Sequence, residues 1–354
     1  MKTKCAGNKS KTGLSLFTPR LKTAFRAADL NRLKPVLPFN CVTSNVFSQT
    51  SMKKINFARL FVLFTIVLCS FSIAAAQKKR LPGKAKAKPI LFAVINDGGT
   101  IEPFAFIEKG KLTQAAGGDP DSKTFAKTYY QSKPVYRLIF GGADDGAATI
   151  KSFDPTAECA QYMAQITAAP VKAKLKGLVM ALATDAPASK AKGARRLPTP
   201  TERSEIESLV RAEFAKQTKN DAVSRNLKYH NLTALDVDND GKAELVGSFW
   251  IEPSADERDL LFFIADKGAN GKYSFGYSNY SAVKKDDVMS GDLKMLDTGI
   301  LNELLLDVYD YDGDGTGEIF TYSQSFEGAG FNAYKREGGK WTKAFESSNY
   351  HCAY

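Results

Sequence analysis

From residue 90 onward the chain alternates short apolar runs with clusters of Gly, Asp and Pro. Ile90-Leu91-Phe92-Ala93-Val94-Ile95, Phe104-Ala105-Phe106-Ile107 and Val135-Tyr136-Arg137-Leu138-Ile139-Phe140 have the length and boundaries of strands. Asp97-Gly98-Gly99, Lys109-Gly110 and Asp144-Asp145-Gly146 supply the predicted turns. Ala147 to Phe153 and Leu175 to Ala183 predict further strands, residues 122–131 a helix, and the stretch around Cys159 suits strand or helix equally. A second helix is announced by Thr199 as N-cap, Pro200 in the first turn and Glu202 three residues on, a capping box. Behind it Ile206, Leu209, Val210 and Phe214 recur on one face at helical spacing.

The N-terminal part follows a different pattern. Met52-Lys53-Lys54 and Arg59 precede an apolar run from Leu60 through Ile73, closed by Ala74-Ala75-Ala76 before Gln77. That is the layout of a secretory signal peptide over residues 52–76. The run falls short of the roughly 20 residues a spanning helix needs, so no stable membrane anchor is expected after cleavage. Cleavage before Gln77 predicts a secreted or periplasmic protein. Residues 1–51 are expected to be a disordered leader or an extension ahead of a true start at Met52. Residues 77–88 read as a disordered tether, residues 89–184 as a mainly β domain, 185–198 as an Ala/Pro/Lys-rich linker, and 199–354 as a C-terminal domain.

Charge changes meaning once the leader is set aside. The chain carries 49 Lys/Arg against 38 Asp/Glu, but residues 1–76 hold 12 of the basic residues and one Asp, which leaves 37 of each sign beyond Ala76. The net +11 therefore belongs to the leader, and no nucleic-acid partner is expected. Of five cysteines only Cys159 and Cys352 lie beyond it, and in an oxidising compartment the two predict a disulfide.

Two segments share a pattern that carries chemistry: Asp236-Val237-Asp238-Asn239-Asp240-Gly241-Lys242-Ala243-Glu244-Leu245 and Asp310-Tyr311-Asp312-Gly313-Asp314-Gly315-Thr316-Gly317-Glu318-Ile319. Both read D-x-D-x-D-G-x-x-E followed by an aliphatic residue. Calcium takes six to eight hard oxygen ligands at roughly 2.3 to 2.6 Å, and alternate carboxylates on a tight loop converge on one point. The glycine permits the turn, Lys242 and Thr316 can each offer a backbone carbonyl, and Glu244 and Glu318 return a further carboxylate. Four carboxylates within nine residues repel one another without a cation. An EF-hand would need Glu at the twelfth position, where Gly247 and Thr321 stand, and helices on both sides. The flanks suit strands, so two strand-loop-strand calcium sites are expected.

The stretches LTALDVDNDGKAELVGSF and LLLDVYDYDGDGTGEIFTYS resemble the FG-GAP/VCBS family of extracellular repeats, found in integrin α-subunit propellers and in bacterial secreted proteins. The resemblance covers residues 226–354. The family usually has Asp where this chain has Glu244 and Glu318, and no Phe-Gly…Gly-Ala-Pro signature is present. It implies calcium-bearing repeats in a mainly β body with a few helices, built as antiparallel sheets or as a small or incomplete β-propeller.

Function follows by weighing classes. His230 and His351 stand in no metal-protease or haem setting and read as surface or hydrogen-bonding residues, and no nucleophile elbow or phosphate loop is present. The favoured reading is an exported, non-catalytic calcium-binding protein with a structural, interaction or adhesion role toward an extracellular or cell-surface protein or glycan. One alternative is a secreted hydrolase with two carboxylates across a cleft. Another is a glycan-binding module in which Trp250, Trp341, Tyr273, Phe275, Tyr277 and Tyr280 form an exposed platform, against the commoner use of such rings in cross-strand packing.

Overall fold

The computed structural model describes residues 87–118, 120–188, 193–217 and 226–352. The expected leader, the signal segment and most of the tether lie outside the described residues, as does part of the linker. The described chain is mainly β with a few helices, and every strand pairing in it is antiparallel.

The first seven strands are β1 (Ile90–Ile95), β2 (Thr100–Glu108), β3 (Lys111–Gln114), β4 (Val135–Phe140), β5 (Ala143–Phe153), β6 (Ala164–Pro170) and β7 (Ala181–Thr184). Their order is β1-β7-β4-β5-β6-β2-β3, and β1 also pairs with β2, so six of them close into a barrel with β3 appended. All six residues of β1 are buried. Successive side chains point to opposite faces, and here both faces are covered. Ile90, Phe92 and Val94 enter one core with Tyr136, Leu138 and Ile166. Leu91, Ala93 and Ile95 enter another, shared with the C-terminal strands. Helix α1 (Ser122–Ala126), capped by Asp121 and continued as a π turn over Lys127–Gln131, adds Phe125, Tyr129 and Tyr130 to the first core.

Three expectations fail locally. Asp144-Asp145-Gly146 is strand, not turn; the reversal is made by Gly141 and Gly142, both at positive φ. Gly146 is required for a different reason: a Cβ there would lie 2.1 Å from the Ala169 carbonyl oxygen of β6. Of the strand expected from Leu175 to Ala183 only the end forms, as β7. The region around Cys159 is neither strand nor helix but a succession of turns.

The remaining strands make two up-and-down meanders, each in blade-like order. One runs β8 (Lys228–Leu235), β9 (Glu244–Ser254), β10 (Glu257–Lys267) and β11 (Tyr273–Lys284); the other β12 (Leu304–Tyr309), β13 (Glu318–Gln324), β14 (Gly328–Glu337) and β15 (Lys340–Tyr350). Helix α2 (Pro200–Gln217) lays Ile206, Val210 and Phe214 on the outer face of the first meander. Val246, Phe262 and Ile264 pack between the meanders against Val308, Ile319 and Tyr334. The far face of the second meander meets the barrel, with Phe104 edge-on to Phe320 and Phe331 at 5.1 and 5.2 Å. The layers are thus helix, sheet, sheet, barrel.

Polar groups tie these layers at two buried points. Asp307 on β12 is fully buried and accepts both Gly141 N–H contacts, at 3.0 and 2.8 Å, and the Val308 N–H. Arg195 faces it at 3.7 Å, donates to the Met180 and Leu306 carbonyls and lies over Phe140. Burial pushes Asp307 up to about 7 against the pull of Arg195.

At the head of α2 the capping box forms as read: Thr199 Oγ1 accepts the Glu202 N–H and the Thr199 N–H donates to Glu202. Arg196 adds a fork to Glu202 at 2.7 and 2.8 Å, which, ahead of the other contacts, holds its carboxyl down at about 2 from an ordinary 4.5. A depressed carboxyl contributes stability that is complete above pH 4.5 and lost as pH falls through 2. Glu202→Gln is therefore expected to cost about 1 kcal/mol near neutrality, discounted because Arg196 is half exposed. It should also flatten the acid limb of the stability curve; an acid limb superimposable on that of the parent would dissociate Glu202 from acid stability.

Candidate metal loops and the barrel cavity

The two acidic segments fall where strands reverse, between β8 and β9 and between β12 and β13. The two loops share a set of internal hydrogen bonds, and the second adds one from the Gly313 N–H to Asp310 Oδ1. Asp236 Oδ2 accepts the Gly241 N–H and Asp310 Oδ2 the Gly315 N–H. Asp238 accepts from Asp240 N–H and Asp312 from Asp314 N–H, at 3.2 and 3.1 Å. Asp240 accepts from Lys242 N–H and Asp314 from Thr316 N–H. Gly241 and Gly315 both adopt positive φ, the conformation the sixth position demands.

This winding gathers one carboxylate oxygen from each of Asp236, Asp238 and Asp240 within 4.8 Å of one another, and likewise from Asp310, Asp312 and Asp314. Ligands 2.3 to 2.6 Å from a calcium ion lie no more than about 5 Å apart, so the spacing fits that ion. Asp236 Oδ1 is buried and has no hydrogen-bond partner among the described residues, an acceptor still available to a cation. Glu244 and Glu318 stand beside these triplets, outside the converging oxygens. Both are buried, and each uses Oε2 to accept a loop N–H at 3.2 Å, from Val237 and Tyr311 respectively. Burial raises Glu244 to about 7; burial and then the charge of Asp312 raise Glu318 to about 8. Lys242 pairs through Nζ with Asp240, whose carboxyl it lowers.

Strand β14 supplies two cations that sequence reading did not single out. Lys335 Nζ bridges Asp312 and Asp314, with Glu318 3.9 Å away. Its neighbour Arg336 reaches Asp238 at 3.2 Å, Glu244 at 3.3 Å and Asp266 at 3.2 Å. Consecutive strand residues point to opposite faces, so one strand serves both loops. The loops also touch directly, Gly317 N–H donating to the Val237 carbonyl at 2.7 Å. They form one bipartite acidic site although 74 residues separate their first aspartates.

The aromatic platform does not form. Trp250, Trp341 and Tyr273 are buried and Phe275, Tyr277 and Tyr280 half-buried, distributed over three separate cores. His230 is half-buried and stacked on Trp250, and burial lowers its imidazole. His351, read as a surface or hydrogen-bonding residue, is the second of these: it is buried, with Nε2 2.6 Å from Glu102 Oε1. The pair lines a cavity of about 400 Å³ that also includes Glu158 and Tyr350. Beside it Cys159 and Cys352 form the expected disulfide, their Cα atoms 5.4 Å apart. Comparison with family models, with curated proteins and with solved structures finds no match for this chain.

Proposed function

We propose that the paired loops bind two calcium ions that rigidify the junction of the two meanders, and that the protein is an exported, non-catalytic binding or structural protein. The observation that carries this reading is the repetition: two segments distant in sequence share a set of internal hydrogen bonds and bring three aspartate oxygens together. In the calcium-bound state Asp236, Asp238 and Asp240 would hold one ion and Asp310, Asp312 and Asp314 the other. The Lys242 and Thr316 carbonyls and Glu244 and Glu318 are the further donors this reading assigns. A bound ion screens the repulsion among the carboxylates, the role that Lys335 and Arg336 share in its place.

The meanders' blade-like order and their loop chemistry support kinship with FG-GAP/VCBS repeats. Export through the 52–76 signal fits both the disulfide and millimolar extracellular calcium. An extracellular protein or cell-surface glycan is the partner class that follows from that location.

Asp312→Ala tests the assignment. It removes one charged oxygen ligand and leaves Lys335 with fewer partners, so titration calorimetry should show the second site weakened by about tenfold or more. Because Gly317 and Val237 join the loops, the first site should shift by a smaller, measurable amount. Two unaltered calcium isotherms in the variant would remove Asp312 from the ligand set.

A further inference from the structure

The residues lining the cavity beside the disulfide include a buried carboxylate that the calcium reading does not use. Glu102 lies on β2 and is 0% exposed. Its Oε1 accepts from Asn349 Nδ2 at 2.9 Å and sits 2.6 Å from His351 Nε2. Its Oε2 is buried and has no hydrogen-bond partner among the described residues. A carboxylate has acceptor capacity on both oxygens, and a buried oxygen left bare retains a desolvation cost that a donor would remove.

The charge of the wall around it is predominantly negative. Among the described residues that line the cavity, Glu102 and Glu158 contribute carboxylates, His351 is the single basic side chain, and there is no Lys or Arg. Its formal charge is −1 with the imidazole protonated and −2 with it neutral, which opposes an anion and favours a cation. The uncharged polar lining includes Gln114 and Gln161, and Tyr350, 65% exposed, is a further lining residue. Aromatic faces attract organic cations, and N–H donors carrying charge make the stronger hydrogen bonds to a carboxylate. Glu158 and His351 each adjoin one of the disulfide's cysteines.

We propose that this cavity is a binding site for a small organic cation bearing N–H donors, an alkylammonium or guanidinium group, with the Glu102 carboxylate as its anchoring acceptor and Glu158 as the second negative charge. The test uses the full chain with n-butylammonium and n-butylguanidinium as cations, n-butanol as the neutral control and butyrate as the anion, in chelator and again with calcium. The cations should bind with dissociation constants below about 1 mM and shift the His351 ring resonances, while n-butanol and butyrate bind at least about tenfold more weakly. Glu102→Gln keeps the shape, removes the charge and should weaken cation binding by about tenfold or more; Glu158→Gln should weaken it less. Asp312→Ala should leave cation binding unchanged, which separates failure here from failure of the calcium reading.

Absence of saturable cation binding up to about 10 mM overturns the proposal. So does equal binding of n-butanol, or wild-type affinity in a folded Glu102→Gln protein. Should that variant not fold, Glu158→Gln decides with the same four ligands: a reduced preference for cations upholds the site, and an unchanged preference rejects it.

Discussion

Replacing both Cys159 and Cys352 by Ser should destabilise the fold by about 5 kcal/mol, the entropic cost of freeing a very long loop in the unfolded chain. The bond spans 193 residues and ties the turns between β5 and β6 to the segment after β15. It thereby fastens the barrel to the last strand of the second meander. His351, next to Cys352, meets Glu102, and Asn349 near the end of β15 donates to the same carboxylate. Denaturant unfolding without reductant should show a lower midpoint in the double variant and a steeper dependence on denaturant, because the unfolded state becomes less compact. A difference below about 1 kcal/mol would mean that strain or residual structure cancels the loop entropy.

Calcium should stabilise the protein by a comparable amount. Each ion that binds only the folded loops contributes about 2.7 kcal/mol at a hundred times its dissociation constant, so two sites contribute about 5 kcal/mol. The effect should depend on pH in a defined direction. In the metal-free fold, burial lifts Glu244 to about 7 and Glu318 to about 8, from 4.5 in the unfolded chain. The folded state then keeps protons the unfolded state has released, so this contribution is complete below pH 4.5 and is lost as pH rises through 7 to 8. Calcium competes with the same protons, and its affinity should rise over that window. Melting curves in chelator and in calcium should therefore diverge as pH increases from about 5 to about 8. A gap that stays constant across the range would show that neither glutamate is linked to the metal.

The features legible in the sequence are local ones. The D-x-D-x-D-G-x-x-E spacing specifies its own loop, because the hydrogen bonds that wind it join residues no more than seven apart. The Thr199–Glu202 box and the helical face of Ile206, Val210 and Phe214 are equally self-contained. The continuous apolar run of β1 marked a buried strand, but not its place in a closed barrel, which depends on pairing with both β2 and the distant β7.

Pairings between remote residues left no local signal. Glu102 and His351 are 249 positions apart, and each alone looks like an ordinary polar residue. Arg195 sits in an Ala/Pro/Lys-rich stretch that reads as linker, yet it is buried opposite Asp307. Gly146 beside two aspartates has the composition of a turn; its glycine answers the close approach of β6, which the sequence around it does not disclose. Lys335 and Arg336 carry no local signal; it is the fold that places β14 between the two acidic loops.

The two loops, as proposed, are halves of one calcium site cluster. Metal analysis of the folded chain, purified without chelator and equilibrated in millimolar calcium with magnesium present, addresses it most directly. Two equivalents of calcium per chain, falling toward one in Asp312→Ala, is the predicted result. A chain that retains no calcium, or that holds a transition metal in its place, contradicts it.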